Sequence, residues 1–301
     1  MLECLSDFIQ TIKQPNNQTM HLCIFNPEHD LCLAKGRAHY VPPRSAVEFA
    51  QRDAGIMSVL YPDAACCSVY DNSQFSILNS QLDEVIAWGW DAVVKHELIK
   101  RGISAELLPS DEEIATIREL QHRSTVLPLQ PDCHEVHSVA EMESLLRDRE
   151  HWVMKAPWSG AGRGLRWVHG SLTAIDRDWL LKTVASQRCV IAETRLEVVA
   201  DVALEYMSGS FIGYSYFKTG SGVYKENVMW TDARIVEMFH ETSLQQTKVH
   251  IEEWLAANVW PHYRGPLGVD LMVCADGSVH VAEMNFRHTM GMVAHAKING
   301  L

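Results

Sequence analysis

Asp276-Gly277 stands between two apolar runs, Leu267–Cys274 and Val279–Asn285, and constrains the fold more than any other pair of residues in the chain. A two-residue type I′ turn needs positive φ at both central positions, which Asp-Gly supplies, so the runs are predicted to pair as an antiparallel hairpin. With that turn, Ala275 faces Ser278, and counting back along both strands sets Asp270 directly opposite Glu283. Directly opposed residues share a face of the sheet, so two carboxylates stand side by side where like charges destabilise. A divalent cation is the economical relief. Asn285, two residues on, adds a neutral oxygen to the same face. This donor set suits a hard ion such as Mg2+, or Mn2+, rather than zinc. Arg287 follows on that face if the strand continues, bringing a cation to where phosphate oxygens would meet the metal. Taken alone, the hairpin also fits a solvent-facing acidic strand pair.

A second feature is the run Lys155-Ala-Pro-Trp-Ser-Gly160-Ala-Gly162-Arg163-Gly164. Strand-like residues precede it and Leu165–His169 follows, so it joins two strands. No Gly-Lys-Ser/Thr follows and no helix begins there, which excludes a P-loop and a dinucleotide fingerprint. Alternate glycines let backbone N–H groups approach phosphates closely, and Lys155 can reach the same phosphates. A mobile surface turn is the structural alternative. Further on, an apolar strand over 189–192 runs into Glu193-Thr-Arg-Leu196. An acidic side chain at such a strand exit can accept from an adenine amino group. Leu196 can offer backbone to the ring edge, and Asp201 can accept from a ribose hydroxyl.

The preceding half reads as an α/β unit. An amphipathic helix is predicted from Leu2, Leu5, Phe8, Ile9 and Ile12. A strand from His21 to Phe25 is broken by Asn26-Pro-Glu-His29-Asp30, and helices are predicted over 46–54 and 91–101. Asp30 reads as a helix N-cap or a ligand contact. A second strand covers 85–88, Gly102 reads as a helix C-cap, and Ser110 with Glu113 forms a capping box. Beyond residue 121 come a helix over 136–149 with Ser138 as N-cap and strands over 152–156, 165–169, 189–192, 202–206 and 211–217. A helix over 243–254 precedes the hairpin.

The 301 residues are enough for two domains, or one large one, with ample core. A formal net charge of −12 argues against nucleic acid as a partner. No apolar run suffices to span a bilayer, and the N-terminus does not read as a signal peptide. Eight cysteines without a CxxC pair read as reduced thiols of a cytoplasmic protein.

In order, the phosphate lysine with its glycine hairpin, the hinge and the Asp, Glu and Asn cluster ending at an arginine resemble the ATP-grasp superfamily, in particular carboxylate–amine ligase-like bacterial members. The matching segments are Val-Met-Lys155-Ala-Pro, Gly160-Ala-Gly-Arg-Gly164, Glu193-x-x-Leu196 with Asp201, Gly-Val-Asp270, and Glu283-Met-Asn285-Phe-Arg287. The resemblance implies an α/β (α+β) chain: a small Rossmann-like pre-ATP-grasp domain over 1–120, then an ATP-grasp domain over 121–301. The latter would divide into a lid over about 121–200 and a C-terminal subdomain over about 201–301. It implies ATP held by Lys155, Gly160, Gly162, Arg163, Gly164, Glu193, Leu196 and Asp201, and Mg2+ on Asp270, Glu283 and Asn285. Arg287 and Lys155 would act on the transferring phosphoryl group. Many members carry an earlier nucleotide lysine near the domain junction, for which Lys95 is the nearest match, though a solvated helix lysine fits equally. The tail after Arg287 is short and offers no evident acceptor pocket, which directs attention to Asn26, His29, Asp30 and His288 for substrate. The implied activity joins a small-molecule carboxylate to an amine or thiol. A kinase and a non-catalytic nucleotide-binding module on the same fold are the alternatives. A homodimer is compatible with the sequence but not readable from it.

Overall fold

The computed structural model describes residues 20–71, 82–130, 132–160, 164–220, 222–239 and 241–299. The helix predicted from Leu2 to Ile12 lies outside them. Three sheets organise the chain. The first is parallel, with β1 (Met20–Ile24) between β2 (Ala65–Cys67) and β3 (Leu82–Ala87). β1 is covered on both sides, as parallel strands usually are. Leu22 and Ile24 pack with Val94 and Leu98, whereas Cys23 and Phe25 pack with Met57 and Trp88.

Helices α1 (His29–Lys35), α2 (Arg44–Arg52), α3 (Ala92–Lys100) and α4 (Asp111–Leu120) accompany this sheet. Asp91 caps α3 by accepting from the Val93 and Val94 N–H groups, and Gly102 follows its end at φ +92°. Ser110 and Glu113 form the predicted capping box of α4. One cap differs from expectation. The N-cap of α1 is Glu28, without a side-chain cap bond, and Asp30 lies inside the first turn. Its carboxylate is taken by a tertiary partner, Arg287, instead of by local N–H groups.

The second sheet is antiparallel, in the order β4-β7-β5-β6, from β4 (Cys133–Val136), β5 (His151–Lys155), β6 (Leu165–His169) and β7 (Val190–Thr194). Helices α5 (Val139–Asp148), capped by Ser138, and α6 (Ala174–Gln187) cover one face. There Met142 and Leu180 meet Trp152, Met154, Val190 and Ala192. Period-2 alternation therefore turns Val153, Lys155 and Glu193 the other way.

The third sheet is antiparallel, in the order β10-β9-β8-β11-β12, from β8 (Val198–Met207), β9 (Ser210–Gly220), β10 (Val223–Val228), β11 (Leu267–Cys274) and β12 (Val279–Asn285). Val202, Leu204, Val269 and Leu271 pack on Ile235 of α7 (Asp232–Met238) and on Leu244 and Ile251 of α8 (Glu241–Asn258). The chain ends in a helix that periodicity did not reveal, α9 (Met290–Asn299). It returns to the first sheet, where Val293 joins Cys23, Phe25 and Trp88. It is apolar nearly all round, so it carries no amphipathic signature.

The hairpin reaches the predicted pairing by a different route. Gly277 N–H bonds to Cys274 O, and Cys274 N–H bonds to Ser278 O. The loop therefore has three residues, and within it only Gly277 takes a positive φ. That moves the register by one from the type I′ expectation. An extra residue in β12, Ala282, moves it back: Leu271 faces Val281, yet Asp270 faces Glu283. Such a bulge lets a strand change which face its side chains occupy. Without it, Asp270 would oppose Ala282, and Glu283 would point into the core beside Val269.

Candidate active site

A cleft of about 520 Å³ opens between the three sheets, floored by the third sheet's free face. Along β8 the residues Asp201, Ala203 and Glu205 face it, and along β11 Asp270 and Met272 do. Asp270 lies between Ala203 and Glu283 on its two neighbouring strands. Its carboxylate accepts from Asn285 Nδ2 at 3.0 Å. Burial first, then Glu283 and Glu205, push its pKa well above the usual carboxylate range. Glu283 is ion-paired with Arg123, and Asn285 Oδ1 accepts from Arg287 Nη2 at 3.0 Å. The sequence-predicted metal ligands are thus gathered on one face. They are hard oxygen donors in a setting that disfavours uncompensated negative charge, with two guanidinium groups bonded to them. That arrangement fits a hard divalent cation.

Glu205 is a member of this floor that the sequence reading missed. It is fully buried, and it accepts from the Ser215 and Thr289 hydroxyls at 2.8 and 2.7 Å. Burial pushes its carboxyl up to about 7, against the lowering effect of those two bonds. Gly268 lies opposite it on β11, where a Cβ would stand 2.6 Å from Thr289 Cγ2. Alternation from Asp201 along β8 was the available signal.

Lys155 and Glu193, assigned by the resemblance to phosphate and adenine, form a buried ion pair at 2.7 Å in the cleft wall. Asp201 also lines the cleft and accepts from Thr219 Oγ1 at 2.7 Å, with burial raising its pKa. Leu196, in the connection to β8, does not line it. Gly162 and Arg163 lie outside the described residues. Their flanks are described: Gly160 lines the cleft, where a Cβ would meet Asp30 Oδ2 at 2.7 Å, and the Gly164 carbonyl accepts from Ala156 N–H at 2.8 Å.

Lys95 does not belong to this cleft. It lies on α3 and pairs with Asp111 at the start of α4 at 2.7 Å, the helix-surface alternative. Arg123, in the 3-10 segment Arg123–Leu129, does line the cleft. Its Nη1 donates to Ala156 O and Ser159 Oγ at 2.6 Å each, and its Nη2 to Ser159 O at 3.0 Å. Arg123 therefore braces the start of the glycine loop against β12. Nothing in its local sequence distinguishes it from a surface arginine.

Three of the four residues assigned to substrate are corrected. Asn26 and His29 are fully buried and do not line the cleft. Asn26 exchanges hydrogen bonds with the Gly89 backbone at 2.7 and 3.2 Å, and His29 Nδ1 meets Asp91 at 3.3 Å. A Cβ on Gly89 would run into the His29 ring. These residues lock the loop after β1 to the loop after β3. His288 is 1% exposed; its Nδ1 faces the carbonyl oxygens of Ala87 and Trp88 at 3.1 Å and must donate. Nε2 therefore accepts from the Tyr61 hydroxyl at 2.8 Å. Burial lowers the imidazole to about 4, which favours its neutral form at neutral pH. Asp30 alone of the four lines the cleft, and it holds Arg287.

No protein-family model and no curated protein matches the chain. Solved structures do. D-cycloserine synthetase DcsG superposes with a TM-score of 0.54 at 14% identity, over 94% of this chain and 98% of that one. D-alanine–D-alanine ligase from Bacillus anthracis gives 0.52 at 13% identity, over 94% and 92%. N5-carboxyaminoimidazole synthetase from Staphylococcus aureus, complexed with ADP, gives 0.52 at 14% identity, over 91% and 72%. At these identities the likeness speaks for the architecture, and with the three-sheet arrangement around one cleft it establishes that this chain has the ATP-grasp fold.

Proposed function

We propose that the chain is a Mg-ATP-dependent ligase that activates a small-molecule carboxylate as an acyl-phosphate for attack by an amine or thiol. In that reaction a carboxylate oxygen attacks the γ-phosphorus and ADP leaves. The amine or thiol then attacks the acyl carbon, and phosphate departs as the nucleophile loses its proton. The observation that carries the reading is the gathering of Asp270, Glu283 and Asn285 on one cleft face, with Arg287 bonded to Asn285. A binding module has no need of so complete a phosphoryl-transfer set. Mg2+, or Mn2+, held by Asp270, Glu283 and Asn285 would neutralise phosphate charge. Arg287 and Lys155 would steady the transferring group, while Arg123 holds the glycine loop in register with the floor. Glu193 and Asp201 face the same cleft and are the nucleoside contacts in this reading.

The solved structures support the reading through their own printed activities, which are those of synthetases and a ligase. Residues 1–120 would then contribute substrate contacts, 121–200 a lid over the nucleotide, and 201–301 the metal floor. Among the described residues no helix is long and apolar enough to cross a membrane. Release of ADP and free phosphate from Mg-ATP, screened over amino acids and dipeptides, tests the proposal. Phosphate appearing only when a carboxylate and an amine or thiol are both present supports the ligase. A stable phosphorylated product from one substrate would replace it with a small-molecule kinase.

A further inference from the structure

The β5–β6 hairpin carries the glycine loop at one end and a pair of histidines at the other. Its register runs from Lys155 opposite Leu165 to His151 opposite His169. Directly opposed residues share a face, here the one that α5 and α6 leave open. The two imidazoles stack, with centroids 4.2 Å apart and planes 20° from parallel. Their Nδ1 atoms are 3.1 Å apart. Glu150 directly precedes His151, and one ligand atom from each of the three residues lies within 4.8 Å of the other two. All three side chains are exposed.

The backbone beneath them is pinned. Gly170 N–H donates to Glu150 O at 2.8 Å, and Arg195 N–H donates to His151 O at 3.2 Å. Trp152, 3% exposed, donates its indole N–H to Arg149 O at 2.9 Å. The side chains, by contrast, are available. Among the described residues the Glu150 carboxylate has no hydrogen bond or ion pair, and the two imidazoles bond only each other. The neighbouring cations are engaged elsewhere: Arg149 pairs with Asp132 at 3.3 Å, and Arg195 lies over the Trp167 ring at 5.5 Å.

A tetrahedral ion with bonds of about 2.0–2.1 Å to imidazole holds two such nitrogens about 3.3–3.4 Å apart. The Nδ1 separation is close to that span. A small turn of two exposed rings brings their in-plane lone pairs onto one ion. Two imidazoles and a carboxylate are the donors of a borderline ion such as Zn2+, with water completing the shell. Mg2+ takes oxygen ligands, so this set does not compete for the ion of the Asp270 floor.

We propose that Glu150, His151 and His169 bind one divalent transition-metal ion of the Zn2+ class, which clips together the open end of the β5–β6 hairpin. The crosslink ties the start of β5 to the end of β6, the two strands from which the glycine loop springs. The site stands four residues, about 14 Å of strand, from Lys155, and none of its ligands lines the cleft. It is independent of the ligase reading.

The experiment is calorimetry of ZnCl2 into the full chain in excess Mg2+, which occupies hard-oxygen sites and leaves the imidazoles free. The wild type should bind a Zn2+ ion that His151→Gln and His169→Gln each weaken by at least about tenfold, a loss that even outer-shell changes can produce. Glu150→Gln should weaken it by about threefold or more, because a charged ligand becomes neutral. A second measurement needs no variant: paramagnetic resonance of the wild type with one equivalent of Cu2+, which the same donors accept, should show two coordinated imidazole nitrogens. Absence of Zn2+ binding, affinity that survives the histidine variants or Glu150→Gln, competition by Mg2+, or a Cu2+ spectrum without two imidazole nitrogens overturns the site.

Discussion

Arg287 and Asp30 are joined at 3.2 Å, which ties the end of β12 to the first turn of α1. Burial opposes both charges, yet Arg287 holds Asp30 below its ordinary pKa and Asp30 raises that of Arg287. The same guanidinium donates to Asn285, so the candidate metal floor and the first sheet share one cation. Arg287→Lys keeps the charge and loses the planar fork. It should lower substrate-dependent ADP release by about 100-fold or more, with Mg-ATP affinity within a few-fold of wild type. Equal turnover in the two proteins would remove Arg287 from the chemistry.

Glu283→Gln keeps the shape of a proposed metal ligand and can still accept a hydrogen bond from Arg123. The Mg2+ concentration that half-saturates ATP binding should rise by roughly tenfold or more, while thermal unfolding changes little. Calorimetry at several Mg2+ concentrations measures the shift. An unchanged Mg2+ requirement would sink the metal assignment.

Lys155→Met leaves Glu193 buried opposite an apolar side chain, and should cost about 3–5 kcal/mol of stability. Adding Glu193→Leu removes the stranded charge and should restore most of that loss. ATP affinity should stay low in the double variant. Denaturant unfolding together with ATP titration separates the two effects, and normal ATP affinity in the stable double variant would assign the pair to structure alone.

His288 is neutral in the folded chain because burial lowers it to about 4, while an unfolded histidine titrates near about 6.5. The unfolded state therefore takes up the proton first. Stability from this group is complete above about pH 6.5 and declines as pH falls towards 4, by up to roughly 3 kcal/mol. His288→Gln should flatten that decline in denaturant unfolding measured from pH 7 to pH 4. It should leave Mg-ATP affinity near the wild-type value. His122, also lowered to about 4 by burial, keeps a slope of the same sign in the variant. An unaltered slope, or lost ATP affinity, would contradict the structural role.

Much of this architecture is legible in short-range chemistry. Ser110 with Glu113, Ser138, and Asp91 before Val93 and Val94 mark helix starts through side-chain oxygens that reach N–H groups two or three residues away. Alternation marks β8 and β11, because each strand has one face on a core and one on the cleft. Glu205 lies two steps along the alternation that places Asp201 on the cleft face, so its position was open to the same signal. Arg123 has no such pattern around it and looks like an ordinary charged residue until burial gives it meaning. His29 and His288 look like catalytic histidines until their neighbours enclose them.

The hairpin marks the boundary between the two kinds of information. By itself the sequence determined that the chain reverses at Asp276-Gly277 and that Asp270, Glu283, Asn285 and Arg287 share a short antiparallel unit, since turn propensity and strand period act over a few residues. Only the tertiary structure decided how the carboxylates come to face each other. The three-residue loop alone would turn Glu283 into the core, and the bulge at Ala282 turns it back. The gain is visible on both faces: Val281 and Met284 stay with the helix-packed core, while Glu283 and Asn285 reach the cleft. Burial of those apolar side chains across β8, β11 and β12 is a sum over contacts distant in sequence, and a local turn preference does not carry it.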